Sequence, residues 1–377
     1  MIPFNKPYLT GKEAHYLYQA VYTGKLSGNG KYTKLCQKYF EERYGFGKSL
    51  MTTSCTDALE MAAILINIKE GDEVIMPSYT FVSTSNAFVL RGAKIVFADS
   101  RKDHPGIDED KIEALITDRT KAIVPVHYAG VACDMDKIMD IADKYNLYVV
   151  EDAAQAVESF YTGRDGVKRA LGSIGHLAAF SFHETKNIIS GEGGLLAIND
   201  MQFAKRAEII WEKGTNRSAF FRGEVDKYGW VDLGSSFLPS ELISSFLWAQ
   251  IENLEDIQSK RKEHWNQYYE GLQDWAKDNG VQMPFVPSFA TNNAHMFYMV
   301  CKDAQQREAI IQKLKDNGVL AVFHYLSLHK SPYYKEKHDG RDLPLSDFYS
   351  DCLIRLPMFY ELKEEQIRYI IDTIVSN

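Results

Sequence analysis

Between about residues 50 and 200, short apolar runs alternate with stretches whose apolar residues recur at helical spacing. The runs at 73–76, 94–98, 122–126, 148–151, 177–182 and 194–198 are rich in Val, Ile and Phe and lack an alternating polar pattern. They predict strands buried on both faces. Residues 56–66, 108–116 and 134–144 predict helices between them. Strand and helix repeated in this order predict an α/β domain built on a mainly parallel sheet. Ligands bind such sheets beyond the carboxyl ends of the strands, so chemistry is sought just after each strand.

From Pro239 the pattern changes. Residues 240–275 read as one long helical run, with Leu242, Phe246, Ala249, Ile251 and Leu254 at near-helical spacing. A turn-rich break at Pro284 and Pro287 follows. Beyond it a smaller α+β unit is predicted, with strands at 296–300 and 320–324 and helices at 306–317 and 363–375. The expected organisation is a large α/β domain over residues 1–245 and a small C-terminal α+β domain over 246–377.

Composition narrows the function classes. The 377 residues are 45% hydrophobic and 25% charged, ordinary for a globular protein. A net charge of −8 argues against a broad nucleic-acid surface. The five cysteines, Cys36, Cys55, Cys133, Cys301 and Cys352, are odd in number and never at CxxC spacing, so neither a disulfide framework nor a zinc site is expected. The N-terminal residues lack the pattern of a signal peptide, and no apolar run is long enough to span a bilayer. A cytoplasmic protein with reduced thiols and no bound metal is the expectation.

Candidate chemistry lies where strands end. Ser54, Cys55 and Thr56 open a predicted helix, whose first N–H groups make an anion site, although ordinary capping explains the same residues. Phe81 follows the strand at 73–76 and could stack on a flat ring or simply fill a core. The strand at 148–151 runs into Asp152 and Gln155. A carboxylate among apolar residues needs a cationic partner such as a protonated pyridine, or serves as a helix cap. Ser181 and Lys186 follow the strand at 177–182 and precede the glycine turn Gly191-Glu192-Gly193-Gly194. A lysine there suits Schiff-base chemistry if burial lowers its pKa, whereas a lone loop lysine is normally solvated. The ordered set, all within one α/β domain, favours the chemical reading.

Four segments carry a resemblance: 77–84 (PSYTFVST), 126–130 (VHYAG), 150–156 (VEDAAQA) and 180–194 (FSFHETKNIISGEGG). On these the chain resembles the DegT/DnrJ/EryC1 family of nucleotide-sugar aminotransferases, over nearly its whole length. The resemblance implies a fold-type-I pyridoxal-phosphate-dependent transferase, similar to aspartate aminotransferase. It implies that Lys186 joins pyridoxal 5′-phosphate as a Schiff base and later shuttles a proton to the sugar carbon. Asp152 would pair with the pyridine nitrogen, Phe81 would stack on the ring and Gln155 would lie near its O3′. Ser181 with Ser54, Cys55 and Thr56 would hold the phosphate.

Segments 213–218, 220–223, 225–228 and 293–298 bring the chain nearest the branch typified by dTDP-4-amino-4,6-dideoxygalactose transaminase. That implies L-glutamate as amino donor, dTDP-4-keto-6-deoxy-D-glucose as acceptor, and a product used in surface polysaccharide such as enterobacterial common antigen. It also implies a homodimer with active sites at the subunit interface. Where many members carry Gly-x-Asn-x-Arg-Met, whose Asn reaches the partner's cofactor phosphate, this chain has Gly234-Ser235-Ser236-Phe237-Leu238-Pro239. Ser236 is the shorter substitute. The basic loop Lys213, Arg217, Arg222 and Lys227 could meet a phosphate or the substrate diphosphate, or stay solvated. His324, Tyr325 and His329 fall where the small domain would close, with His329 a candidate substrate contact or a buried structural histidine. Rival readings are amination at C3 or of a UDP- or GDP-sugar, a sugar dehydratase, and a non-catalytic binding protein. Retention of Lys186 and Asp152 opposes the last two.

Overall fold

The computed structural model describes residues 1–376. The chain contributes β1 (Lys48–Thr52), β2 (Glu73–Pro77), β3 (Lys94–Ala98), β4 (Thr120–Ile123) and β5 (Tyr148–Asp152), then a small hairpin of β6 (Phe160–Thr162) and β7 (Lys168–Ala170). Next come β8 (Leu177–Ser181) and β9 (Gly194–Ile198). Seven of these form one sheet in the order β1-β9-β8-β5-β4-β2-β3, in which β9 alone runs against its neighbours. β10 (Phe297–Val300), β11 (Val322–Phe323) and β12 (Leu353–Leu356) form a separate antiparallel sheet with β12 in the middle.

The unbroken apolar runs have a direct cause. Alternate residues of the large sheet enter two different cores: Ile75 and Val149 join one, while Val74, Met76 and Val150 join the other. With both faces covered, most positions along these strands go to apolar residues, and Glu73, Asp152 and Ser181 stand at strand ends. A third core, holding Phe297, Met299, Ile354 and Leu356, packs the small sheet against the final helix, Glu364–Val375. The helix Leu254–Asp278 runs between cores, with Leu254 and Ile257 in the first and Tyr268, Leu272 and Ala276 in the third. Ile2 also belongs to the third core and bridges to Val319.

Several expected elements differ. Residues 108–116 form two short 3-10 turns, because Glu109 turns inward to accept from the Asp134 N–H and pair with Arg101. The run at 240–275 is two helices, Glu241–Ile251 and Leu254–Asp278. At the break the Asn253 amide donates to the Ala249 carbonyl, taking up a backbone acceptor with a side chain. β4 stops at Ile123, shortly before Pro125, which has no N–H for a ladder. The strand expected at 320–324 is only Val322–Phe323, since Tyr325 takes φ +57° and turns the chain away.

Candidate active site

The carboxyl ends of β2, β5 and β8, the start of helix Cys55–Leu65 and the turn after β11 enclose a cavity of about 570 Å³. It brings together Ser54, Cys55, Thr56, Phe81, Asp152, Gln155, Ser181 and Lys186, residues drawn from five stretches of sequence.

The helix start is held by its own cap. Ser54 Oγ accepts from the Asp57 N–H at 3.1 Å, and the Thr56 hydroxyl donates to Ser83 Oγ at 2.8 Å. Gly194 of β9 passes so close that a Cβ there would lie 2.4 Å from the Ser54 carbonyl carbon, so any side chain would displace the cradle. The eleven-residue helix points its free N–H end into the cavity, a fitting site for a phosphate.

Asp152 ends β5 with 6% exposure. Its Oδ2 accepts from the Thr84 hydroxyl at 2.7 Å and its Oδ1 from the Ala154 N–H at 3.2 Å. Among the described residues no cationic group lies within ion-pair distance of it, and burial pushes its pKa up against those hydrogen bonds. A buried carboxylate that faces a cavity without a cation is suited to a protonated pyridine nitrogen. Its neighbour Glu151 faces the other way. Burial alone would raise Glu151, but His127 at 2.8 Å and the N–H groups of Gly172 and Gly175 hold its carboxyl below the ordinary value. Glu151 is a structural anchor for β5, and Asp152 is the cavity group.

Lys186 sits in the turn after β8 with its backbone N–H bonded to His183. Burial lowers its amine to about 8, with Cys55 and Asp152 opposing the drop and Arg355 adding to it. A substantial neutral fraction near pH 7.5 is what attack on a carbonyl carbon requires. Gln155 Oε1 accepts from the Ala129 N–H at 2.6 Å, and its Nε2 donates to the Tyr325 hydroxyl at 3.1 Å. Phe81 is half-exposed at the cavity edge, free to lie on a ring. The cavity therefore fits pyridoxal phosphate: anion cradle, pyridinium partner, stacking face and an amine that burial brings closer to neutrality are all present.

The other expected residues lie elsewhere. Arg222 pairs with Glu208 and Glu224, Arg217 lies over the Phe221 ring, and neither lines the cavity of this chain. Lys213 and Ser236 are in neighbouring backbone segments tied by the bond from the Lys213 N–H to Ser235 and the bridge between Glu212 and Ser236. Lys227 also lies outside the cavity lining. His329 is buried, sharing a 2.7 Å hydrogen bond between Nδ1 and Ser78 Oγ, so its 3-10 turn faces the protein interior. His324 and Tyr325 do line the cavity. Their rings stack at 3.5 Å, and His324 Nδ1 shares a hydrogen bond with the Tyr128 hydroxyl. The positive φ of Tyr325 is a strained backbone state held by these contacts. His295, locked by Asn187 at 2.9 Å, and Arg355 also line the cavity; the first lies in the 293–298 segment without a role assigned to it, and the second was not singled out in the sequence.

Comparison with known proteins agrees with this geometry. The model of the DegT/DnrJ/EryC1/StrS aminotransferase family matches residues 7–375. The spore coat polysaccharide biosynthesis protein SpsC of Bacillus subtilis is 30% identical over 382 aligned residues, covering 99% of this chain and 96% of SpsC. The aminotransferase TlmJ of Streptoalloteichus hindustanus superposes with a TM-score of 0.90 at 27% identity, covering 100% of this chain and 98% of TlmJ. Spr1654 of Streptococcus pneumoniae, assigned as a sugar aminotransferase, is 25% identical and covers 100% of this chain and 98% of its own. Its PMP form superposes with a TM-score of 0.90 and its PLP form with 0.88.

Proposed function

The chain belongs to the DegT/DnrJ/EryC1/StrS aminotransferase family, with pyridoxal phosphate as cofactor, and from that premise we propose that it aminates C4 of a nucleotide-linked keto sugar. The acceptor in this reading is dTDP-4-keto-6-deoxy-D-glucose, the donor L-glutamate and the product dTDP-4-amino-4,6-dideoxy-D-galactose, made for surface polysaccharide. The observation that carries the reading is one cavity that holds Lys186, its amine lowered by burial to about 8, together with a buried Asp152 that makes no ion pair among the described residues. The polysaccharide role of SpsC supports a sugar acceptor.

When bound, the cofactor supplies an electron sink at the carbon that carries the nitrogen. This chain's residues do the rest. Asp152 holds a proton on the ring nitrogen, and Thr84 and Ala154 keep that carboxylate oriented. Ser54, Cys55, Thr56 and Ser181 take the phosphate, and Phe81 covers the ring. Lys186 carries the proton to and from the reacting carbon, while the stacked His324 and Tyr325 limit access of water.

A homodimer completes this reading. Phe221, Tyr228, Trp230 and Val231 are exposed on one loop stretch, with Trp230 84% exposed, and suit a subunit interface. There Arg217, Arg222, Lys227 and Ser236 would serve the partner's site. His329 keeps a supporting part through Ser78.

The test is a screen of nucleotide keto sugars with L-glutamate, with products identified by NMR and Lys186→Ala as control. The expected product is the 4-amino sugar from the dTDP acceptor, with none from the variant. Amination at C3, or of UDP- or GDP-sugars alone, would replace the acceptor. Deoxygenation without amine incorporation would overturn amino transfer.

A further inference from the structure

The far end of the small sheet sets two thiols opposite each other. β10 and β12 run antiparallel, with Phe297 facing Leu356 and Val300 facing Leu353, so one step further sets Cys301 opposite Cys352. A backbone bond continues the register there, the Cys301 N–H donating to the Cys352 carbonyl at 2.9 Å. Opposed residues send their side chains to the same face of a sheet, and both cysteines enter the third core with Met299 and Ile354. Opposed Cα atoms in such a rung stand about 5.5 Å apart, within the span that a disulfide bridges. Their Cβ atoms start about 5 Å apart and a disulfide needs about 4 Å, so the rung must draw in by about 1 Å. It has room to do so, because it lies past the last registered pair, where the helix Pro344–Cys352 ends and β12 begins.

The other cysteines are committed elsewhere. The Cys36 thiol donates to the Ser244 carbonyl and the Cys133 thiol to the Val126 carbonyl, each at 3.4 Å, and Cys55 lines the cofactor cavity. Among the described residues no such bond engages the sulfur of Cys301 or Cys352, and both are free thiols. Burial pushes Cys301 up to about 12 and Cys352 up to about 11. Cys352 and Asp303 add to the first rise, Asp351 and Asp303 to the second, and the Arg307 guanidinium draws both thiols back. Thiols so placed stay protonated near neutral pH, which suits a pair that is reduced at rest. Arg307 is anchored by Nη1, which donates to the Ser350 carbonyl at 3.1 Å, while its enclosed Nε has no partner. That unspent N–H belongs to a cation that acts on both thiols, and it is available to a sulfur anion as one forms. Lys302, Asp303 and Asp351 are exposed, so the pair lies one residue in from water on either strand.

We propose that Cys301 and Cys352 form a reversible oxidation site, closing into a disulfide when a peroxide reaches the sheet end and reopening to a dithiol. Cys301 is fully enclosed and Cys352 is 4% exposed, so Cys352 meets the oxidant first. Its thiolate attacks one peroxide oxygen: an S–O bond forms, the O–O bond breaks and hydroxide leaves, giving a sulfenic acid. The Cys301 sulfur then attacks that sulfur. The S–S bond forms, the S–O bond breaks, and the departing hydroxyl takes up the Cys301 proton as water. Two thiols and one peroxide thus give one disulfide and two waters, with two electrons passing from sulfur to oxygen. A dithiol reverses the change by exchange through a mixed disulfide. The bond closes a segment of about 50 residues that includes β11 and the turn of His324 and Tyr325. It restricts the unfolded chain and staples the small domain without touching the cofactor cavity.

The experiment treats the purified, folded holoenzyme with hydrogen peroxide, blocks remaining thiols with iodoacetamide, and maps the unreduced digest by mass spectrometry. The expected product is a peptide pair joined through Cys301 and Cys352, lighter by two hydrogens than the separate peptides and split by dithiothreitol. The thermal midpoint of the oxidised protein should rise by about 5 °C or more and fall back on reduction. Cys352→Ser should show neither the joined peptides nor the rise, and Cys301→Ala should carry Cys352 to sulfinic acid instead. Alkylation of both thiols after peroxide treatment overturns the proposal, as does overoxidation of either one in the wild type without a link. Links that run only between chains or to another cysteine overturn it too. A bond that forms without raising the midpoint overturns the staple. The wild-type map decides the matter even if a variant fails to fold, and its outcome is independent of which sugar the enzyme aminates.

Discussion

Burial of Lys186 should make the cofactor-free protein less stable than a variant without the amine. The structure lowers Lys186 from its ordinary 10.5 to about 8, mainly by desolvation. At 1.36 kcal/mol per pH unit that difference is worth about 3 kcal/mol, and discounting for the side of the residue that faces cavity water leaves about 2 kcal/mol. The sign follows from linkage: between pH 8 and 10.5 the unfolded chain binds the proton and the folded chain does not, so stability rises with pH there. Below pH 8 both forms bind it and the full penalty stands. Lys186→Met keeps the apolar stem and removes the titrating group. The assay is urea unfolding of cofactor-free wild type and variant, from pH 6.5 to 10.5. At pH 7 Lys186→Met should be the more stable by about 2 kcal/mol, the gap closing as pH approaches 10.5. A gap that is independent of pH, or a variant less stable at pH 7, would show that Lys186 is not desolvated and that the reactivity argument built on it fails.

Thr84→Val removes the hydroxyl that donates to Asp152 and lets burial raise that carboxyl further. We expect kcat for amino transfer to fall about tenfold, as for the loss of a hydrogen bond worth ~1.4 kcal/mol, with the thermal midpoint nearly unchanged. Glu241 caps the helix Lys31–Tyr44 from a distance of two hundred residues in sequence, its carboxylate accepting from the N–H groups of Gly30, Tyr32 and Thr33. Glu241→Gln turns one oxygen into a donor facing donors and should cost about 2–4 kcal/mol in urea unfolding, with cofactor content preserved in the folded fraction.

How much of this was legible in the sequence depended on whether a local pattern had a single cause. The parallel strands read clearly because two cores claim alternate residues of each. β1 did not, since Lys-Ser-Leu-Met-Thr carries three polar residues, yet Ser49 and Thr52 are buried beside Leu50 and Met51. The amphipathic spacing at 108–116 suggested a helix, but Glu109 was committed to Arg101, before the segment, and to the Asp134 N–H, 25 residues on. The candidate residues on strand ends share one cavity because strand ends of one sheet must lie side by side. His329 could not be separated from His324 by sequence, as both stand in one turn-rich stretch and only the fold decides which one faces Ser78. Arg355 gave no signal, because β12 is only four residues long and was not predicted as a strand, so nothing in the sequence set its one cation against the cavity.

The edge of the large sheet sets a schedule for biosynthesis. Lys48 of β1 pairs with Ile198 of β9, about 150 positions later, and among the described residues no other strand lies beside β1. At a ribosomal rate of about 5–20 residues per second, β1 waits on the order of 10 s for its partner. Until then Leu50 and Met51 belong to an unpaired strand, open to a chaperone or to a neighbouring nascent chain. The arrival of β9 also seats Gly194 against Ser54, so the phosphate cradle is finished in the same event. Cofactor capture is thereby deferred until the sheet has closed, and a chain stalled before Gly194 has neither a finished edge nor a pocket.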